Sequence, residues 1–411
     1  MSGRRRSVLR QRDVAILVLA TAVSVTGDAA AVIALLLRLH AGGGSGWAIA
    51  ALMLASGAPM IVLSPLAGAL VDRIDSRTAI AASALAQAVC AALLAQFSGT
   101  VATLALVALL TACGTVVSPA VGALLPRTVP EDRLVEASSH QQTAFVVGNL
   151  AGPALGGLLT GALGSTAPLE LDAVSFLVMG AAIFFVRTRR HLSRESTEPR
   201  VRRSGFRMLW DDSLLRAVVA TMAGVILAAG AVNVAEVFLM KDALHTSDLV
   251  FGIVSAMWMA GMIAGSALTP RLGRTTPALL RVMAIALLVT AVGLVAAGLS
   301  PVWPMAAGAF FVGGIGNAGL SVASRTIVTL RTADAFRGRV FGAMTGSINA
   351  AGVLAYVAGG ALVAGVGPRA TVAGCGCAAA VVGVVFAAAI RRNGYASVDT
   401  VRTWRSLSPN G

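Results

Sequence analysis

Charge is scarce in this 411-residue chain: Asp, Glu, Lys and Arg together make up 12% of it. A water-facing globular surface draws on about 25% charged residues, so an ordinary soluble domain is excluded. With 57% hydrophobic residues and a mean hydropathy of +0.83, disorder is excluded as well. Lysine is nearly missing: Lys241 is the sole one among 32 basic residues. A phosphate-binding G-x-x-x-x-G-K-[ST] loop needs a lysine after glycine, and Lys241 follows Val-Phe-Leu-Met, so ATP is not bound by that route. Aromatic residues are sparse at 5%, and none alternate with the basic clusters. The net charge of +14 therefore does not point to a nucleic-acid partner, which would use stacking platforms. Histidine and cysteine number four each. The cysteines lie inside apolar runs without metal-site spacing, and the histidines fall at the ends of such runs or in loops, so no metal is expected.

What the chain has in abundance is long apolar stretches. Twelve of them reach the roughly 20 residues that cross a bilayer: about 14–38, 46–70, 77–97, 100–125, 136–161, 167–187, 214–240, 248–270, 277–299, 302–328, 338–365 and 368–390. The first lacks a small-residue cleavage site and reads as a retained span. Trp47, Trp210 and Trp303 stand at span ends, where amphipathic rings prefer the interface. The expected fold class is an all-α membrane protein of twelve helices. Its organisation is an N-terminal six-helix bundle (1–188), an Arg-rich central loop (189–213), a C-terminal six-helix bundle (214–390) and a tail (391–411). Of the 32 basic residues, all but Arg38, Lys241 and Arg369 fall on the side of the termini and central loop. The positive-inside rule then puts both termini in the cytoplasm.

The halves also resemble each other, as duplicated membrane proteins do. Gly68 and Arg77 after the second span are nine apart, as are Gly265 and Arg274 after the eighth. The segment Arg127–Arg133 after the fourth span is echoed by Arg331–Arg337 after the tenth.

Gly68, Asp72, Arg73 and Arg77 resemble the loop 2–3 signature of the major facilitator superfamily, G-x-x-x-D-R/K-x-G-R-R/K, with Asp75 and Ser76 in place of the usual Gly and Arg. Here Gly68 is expected to let helices approach closely. The Arg residues are expected to pair with Asp72 or with opposing carbonyls, closing the cytoplasmic side. Gly148, Gly152, Pro153, Gly156 and Gly157 match the core G-x-x-x-G-P-x-x-G-G signature of the superfamily's antiporters, with Ser139 where a leading Gly would stand. Glycines four apart make a smooth packing face. The run from Ser118 to Leu134, with Leu171–Phe176, is similar to the enterobactin-exporter-like and macrolide-efflux branch. The Arg that many drug:proton antiporters carry in the fourth span is replaced here by Leu110.

The resemblance implies a secondary active transporter, with a substrate cavity between two bundles worked by alternating access. It implies proton-coupled export of a small amphipathic molecule, a drug, siderophore or secondary metabolite. The proton gradient supplies energy, and no cofactor is expected. Partners are the lipid bilayer of the inner membrane, the substrate and protons, with the chain acting as a monomer. The rivals are an importer on the same scaffold and a membrane-embedded enzyme or receptor. An enzyme would need a clustered nucleophile and base within the spans, and none is visible.

An ionisable side chain inside a span is a functional candidate by default. Asp28 lies about fifteen residues into the first span, and burial there suits a group that alternates between protonated and charged forms. Glu236, near the outer end of the seventh span, and Asp172 are the other proton-coupling candidates. Glu170 and Asp172 read as first-turn residues of the sixth span, where negative charge complements the helix dipole. Asn149, Asn233, Asn317 and Asn349 are amides that could face a cavity. Arg325 reads as a snorkelling anchor.

The distribution of basic residues predicts that reporter domains fused at position 200 and at the C-terminus both register as cytoplasmic. An external signal from either fusion would overturn the orientation.

Overall fold

The computed structural model describes residues 8–188, 209–273, 275–332 and 336–392. Most of the central loop, the tail and Arg274 lie outside the described residues. Among the described residues every regular element is helical, and twelve helices are long and apolar enough to cross a membrane. In order they are Arg12–Ala41, Gly46–Arg73, Ser76–Gln96, Thr100–Thr128, Leu134–Leu163, Thr166–Phe184, Ser213–Ala243, Asp248–Leu268, Thr276–Leu299, Trp303–Arg331, Arg337–Val366 and Pro368–Arg392. They are called spans one to twelve below.

Local chemistry sets where these helices begin and end. Asp75 accepts from the Arg77 N–H at 3.2 Å and starts the third span. Asp212 accepts from Leu214 and Leu215 N–H at 2.8 and 3.2 Å and starts the seventh. Side-chain caps of this kind satisfy first-turn donors that have no intrahelical partner. The fifth and eleventh spans stop at Gly164 (φ 86°) and Gly367 (φ 81°), a left-handed conformation that glycine adopts without penalty. These stops are equivalent in the two halves, so the duplication extends to backbone geometry.

Two spans are not continuous. The fourth is Thr100–Gly114 followed by Val117–Thr128. The seventh is Ser213–Ala229, Val232–Phe238 and a π-helical turn, Leu239–Ala243. The fourth breaks for a legible reason: Pro119 has no N–H to give the Thr115 carbonyl four residues back, and its ring crowds that turn. Ser83 Oγ, from the third span, donates to the Cys113 carbonyl beside the break at 2.6 Å.

The chain forms two compact units, Met1–Ser196 with Thr246–Ala256, and Thr197–His245 with Met257–Gly411. In the first, an apolar cluster including Leu17, Ile80, Leu124 and Ile183 fills the interior. In the second, Leu214, Met283, Ile327 and Met344 belong to the corresponding cluster. Large apolar side chains such as Leu19, Val62, Val101 and Val384 remain exposed, as a lipid-facing surface requires.

Glycine lets helices meet at backbone distance. In the first unit, Gly148 and Gly152 of the fifth span face the first. A β-carbon at Gly148 would stand 2.8 Å from Val25 Cγ1, and one at Gly152 would run into Ala29 and stand 2.8 Å from the Thr26 carbonyl. Gly156 abuts Ala30 in the same way, and Gly157 abuts Gly252. In the second unit the eleventh span meets the seventh likewise, with Gly359 3.0 Å from Ala231 and Gly230 2.6 Å from Ala355 by the same measure.

Each unit is also tied at one end by an arginine. Arg38 Nη1 donates to the Leu94 carbonyl at 2.7 Å and Nη2 to Thr103 Oγ1 at 3.2 Å. Arg369 donates to the Ser300 carbonyl at 2.7 Å and the Ala243 carbonyl at 3.3 Å. Leu94 and Ser300 close the third and ninth spans, where unpaired carbonyls attract a cation.

Gly152→Leu is expected to force the first and fifth spans apart, costing about 1–3 kcal/mol or more. Gly308→Leu, whose β-carbon would meet no atom within 4 Å, is expected to be neutral. Thermal unfolding of both variants in detergent checks the contrast; equal midpoints would refute the packing argument.

Candidate functional site

A cavity of about 620 Å³ opens inside the first unit, among spans one to six. Thr21, Ser24, Val25 and Asp28 line one wall, spaced so that they share a face of the first span. Gln87 comes from the third span, Gly114, Val117 and Ser118 from around the break in the fourth, and Ser138, Gln141 and Gln142 from the fifth. Met60, Phe145, Phe176 and Met179 supply the apolar remainder. Asp28 is the sole ionisable side chain in this lining.

Several contacts hold the wall in place. Gln141 Nε2 donates to Thr21 Oγ1 at 2.6 Å, tying the fifth span to the first, while its Oε1 is buried without a partner. Gln87 is 6% exposed and accepts from Ser83 Oγ at 3.3 Å. Its amide packs where Gly114 has no side chain; a β-carbon there would stand 2.7 Å from Gln87 Nε2.

Asp28 is half-buried. Its neighbour Gly27 allows the sixth span to close in, since a β-carbon at Gly27 would stand 2.6 Å from Ser175 Oγ and 2.7 Å from Asp172 Oδ1. Asp172 is 2% exposed, accepts from Ser175 Oγ at 3.3 Å, and lies within electrostatic reach of Asp28. The expectation that Glu170 and Asp172 occupy the first turn of the sixth span is corrected. The helix starts at Thr166, no acidic residue sits in its first turn, and Asp172 faces the first span. Of the pair, Glu170 is exposed.

Glu236 is half-buried in Val232–Phe238, just past the break in the seventh span. The four asparagines do not gather at the cavity. Asn149 bonds back to the Phe145 carbonyl at 2.9 Å, and Asn233 to the Gly230 carbonyl at 3.2 Å. Asn317 accepts from Ser321 at 3.4 Å, and Asn349 lies half-buried in the eleventh span. The cavity amides are glutamines instead, and sequence reading did not single them out. A signal for the wall was present in the Thr21, Ser24, Asp28 spacing.

The loop 2–3 residues behave differently from one another. Arg77 donates from Nη2 to the Phe184 carbonyl at 3.0 Å, bridging the third and sixth spans as the opposing-carbonyl expectation has it. Arg73 is exposed, and the side chain of Asp72 lies outside the described part of the structure. The close approach expected at Gly68 is corrected: among the described residues, no atom of another helix lies within 4 Å of where its β-carbon would stand. The antiporter-like glycines do pack closely, and Pro153 stands in the same helix, its carbonyl against Gly252. Among the described residues no group of three His, Cys, Asp or Glu could hold a metal ion. Leu110 packs against Ala88, Ala91, Ala173 and Phe176 as an ordinary core residue.

The family model described as Major Facilitator Superfamily matches residues 17–281 and 219–408. An uncharacterized MFS-type transporter, YfiS of Bacillus subtilis, is 25% identical over 374 residues, covering 87% of this chain and 88% of its own. Among solved structures, the nucleoside transporter NupG aligns with a TM-score of 0.75 at 12% identity, over 92% of this chain and 99% of its own. A bacterial homologue of the iron transporter ferroportin, inward-facing, aligns with a TM-score of 0.70 at 16% identity, over 93% and 99%. At these identities the structures share the fold alone. Twelve helices in two matching halves, and a family model that spans nearly the whole chain, lead to one conclusion: this protein belongs to the Major Facilitator Superfamily of membrane transporters.

Proposed function

We propose that the protein is a proton-coupled exporter of a small amphipathic molecule, working by alternating access in the inner membrane with both termini cytoplasmic. The observation that carries this reading is the cavity of the first unit, where one carboxyl stands among amides, hydroxyls and apolar side chains. A bundle with a single ionisable group in its cavity has one place to bind a proton, and that place is also where a substrate would touch the wall. A proton arriving from outside converts the Asp28 carboxylate to the acid; its release to the cytoplasm restores the charge. Substrate leaves in the opposite direction. The energy source is the proton gradient, with no cofactor, and the unit of function is the monomer.

The antiporter-like glycines support the direction. They place the first span, and Asp28 with it, directly against the fifth. The likeness of 118–176 to the enterobactin-exporter-like and macrolide-efflux branch supports a drug, siderophore or metabolite as cargo. The loop 2–3 cluster of Gly68, Asp72, Arg73 and Arg77 is proposed as the cytoplasmic closure, with Arg77 holding the end of the sixth span. Glu236 is the second candidate proton carrier, and Asp172 the third.

Proteoliposomes loaded with substrate and given an imposed pH gradient test the coupling. Asp28→Asn is expected to abolish uphill, pH-driven efflux while leaving downhill exchange, because the cavity remains. Glu236→Gln is expected to have a smaller effect. Uphill transport by Asp28→Asn would make that carboxyl structural and move the proton to Glu236 or Asp172. Accumulation of substrate in the direction of proton flow, instead of against it, would favour the importer.

Asp72→Asn is expected to cut transport with expression and membrane insertion largely intact. Wild-type rates in that variant would reduce the loop to an orientation signal.

A further inference from the structure

A second concavity, of about 800 Å³, lies between the third and sixth spans and shares only Phe176 with the cavity of Asp28. Small residues, among them Ala81, Gly180 and Ala181, line it beside the buried Phe176 and Ile183. Its rims are large and exposed: Leu85 at 59%, Leu177 at 51% and Phe184 at 70%. From Thr78 to Leu85 the trough follows the third span for about 10 Å. A trough between two membrane-spanning helices cannot stay empty in hydrocarbon, because each lining atom would forgo its dispersion contacts. Water is a poor filling for a wall this apolar.

One end of the trough is charged. Arg77 lies there with Asp75 and Thr78. The Asp75 carboxylate accepts from the backbone N–H of Arg77. The guanidinium offers five donors, and its one described hydrogen bond goes from Nη2 to the Phe184 carbonyl. Its Nε is buried without a partner. Arg187, three residues beyond Phe184, is exposed. This end faces the loop side of the membrane, which the basic residues assign to the cytoplasm.

We propose that this trough is a binding site for an anionic phospholipid of the inner leaflet, one acyl chain lying over Ala81 and Gly180 and the phosphate meeting Arg77. Charge complementarity selects the headgroup, since a guanidinium whose one described hydrogen bond goes to a carbonyl brings its positive charge to meet phosphate oxygens. The small residues select a chain, because a methylene tail fills a narrow trough that a protein side chain leaves open. The site is separate from the cavity of Asp28 and does not rest on the direction of transport.

Native mass spectrometry of the full-length protein in detergent tests this, with phosphatidylglycerol and phosphatidylethanolamine of matched chains as probes. The wild type is expected to retain phosphatidylglycerol about fivefold better, the effect of one basic residue near a lipid surface. Gly180→Leu, whose β-carbon would sit 3.5 Å from Ala84 Cβ in ordinary contact, is expected to lose the retained lipid with an unchanged melting temperature. Ala82→Phe, on the exposed side of the trough, is the second plug should Gly180→Leu fail to fold. Arg77→Gln is expected to bind the two lipids equally. Equal retention of both lipids by the wild type would overturn the proposal, as would full retention by the plugged variants. Displacement of the lipid by inorganic phosphate would make the site one for a soluble anion. Loss of a dimer on plugging would make it a self-association face; either outcome refutes the lipid assignment.

Discussion

The backbone-to-backbone contact of the first span with its neighbours is the constraint on which the candidate site depends. On one side Gly148, Gly152 and Gly156 of the fifth span take up the positions where side chains would otherwise hold the helices apart. On the other, Gly27 admits Ser175 and Asp172 of the sixth. A helix fixed on two sides at this distance has little freedom to rotate, so the face bearing Thr21, Ser24 and Asp28 is set toward the cavity. In a bilayer, where lipid and leucine are equally apolar, close packing and interhelical hydrogen bonds hold such helices together. Glycine faces supply the first, and Gln141 to Thr21 is an instance of the second.

The same economy of side chains recurs in the second unit at Gly230 and Gly359, and between the ninth and tenth spans, where a β-carbon at Gly293 would stand 2.6 Å from the Gly313 nitrogen. Polar anchors at helix ends complete each unit. Asp13 accepts from the backbone of Arg187 and Thr188 and from Thr188 Oγ1. Asp212 both caps the seventh span and pairs with Arg331 at 3.0 Å. These ties join elements far apart in sequence, and each lies at a helix terminus where unpaired backbone groups need partners.

All twelve spans were legible in the sequence because hydrocarbon imposes a demand that composition alone must meet, about 20 apolar residues per crossing. Asp28 stood out for the same reason, as a carboxyl in a run that otherwise excludes charge. Less of its surroundings could be read. Gln87, Gln141 and Gln142 are long amides whose reach depends on which face of a helix turns inward, and packing sets that face. Gly68 looked like a packing glycine, yet it borders open space, whereas Gly27, outside any motif, makes a close contact. Asp172 looked like a dipole partner because it lies near the start of its helix, yet that helix begins at Thr166 and Asp172 falls beyond its first turn. The break in the fourth span was available from Pro119 and Gly114, and a hydropathy count passes over it because both halves are apolar.

That break changes what kind of polarity the cavity presents. Gly114, Val117 and Ser118 line it from either side of the interruption. Gly114 has no side chain, so where it lines the cavity the wall is main chain, and part of the cavity's polarity belongs to the backbone. Side-chain replacement leaves main-chain groups in place, so a substrate that leans on them would keep part of its affinity through a complete alanine scan of the wall. Its recognition would become visible only to changes in the backbone itself, such as restoring an N–H at position 119 or replacing an amide with an ester.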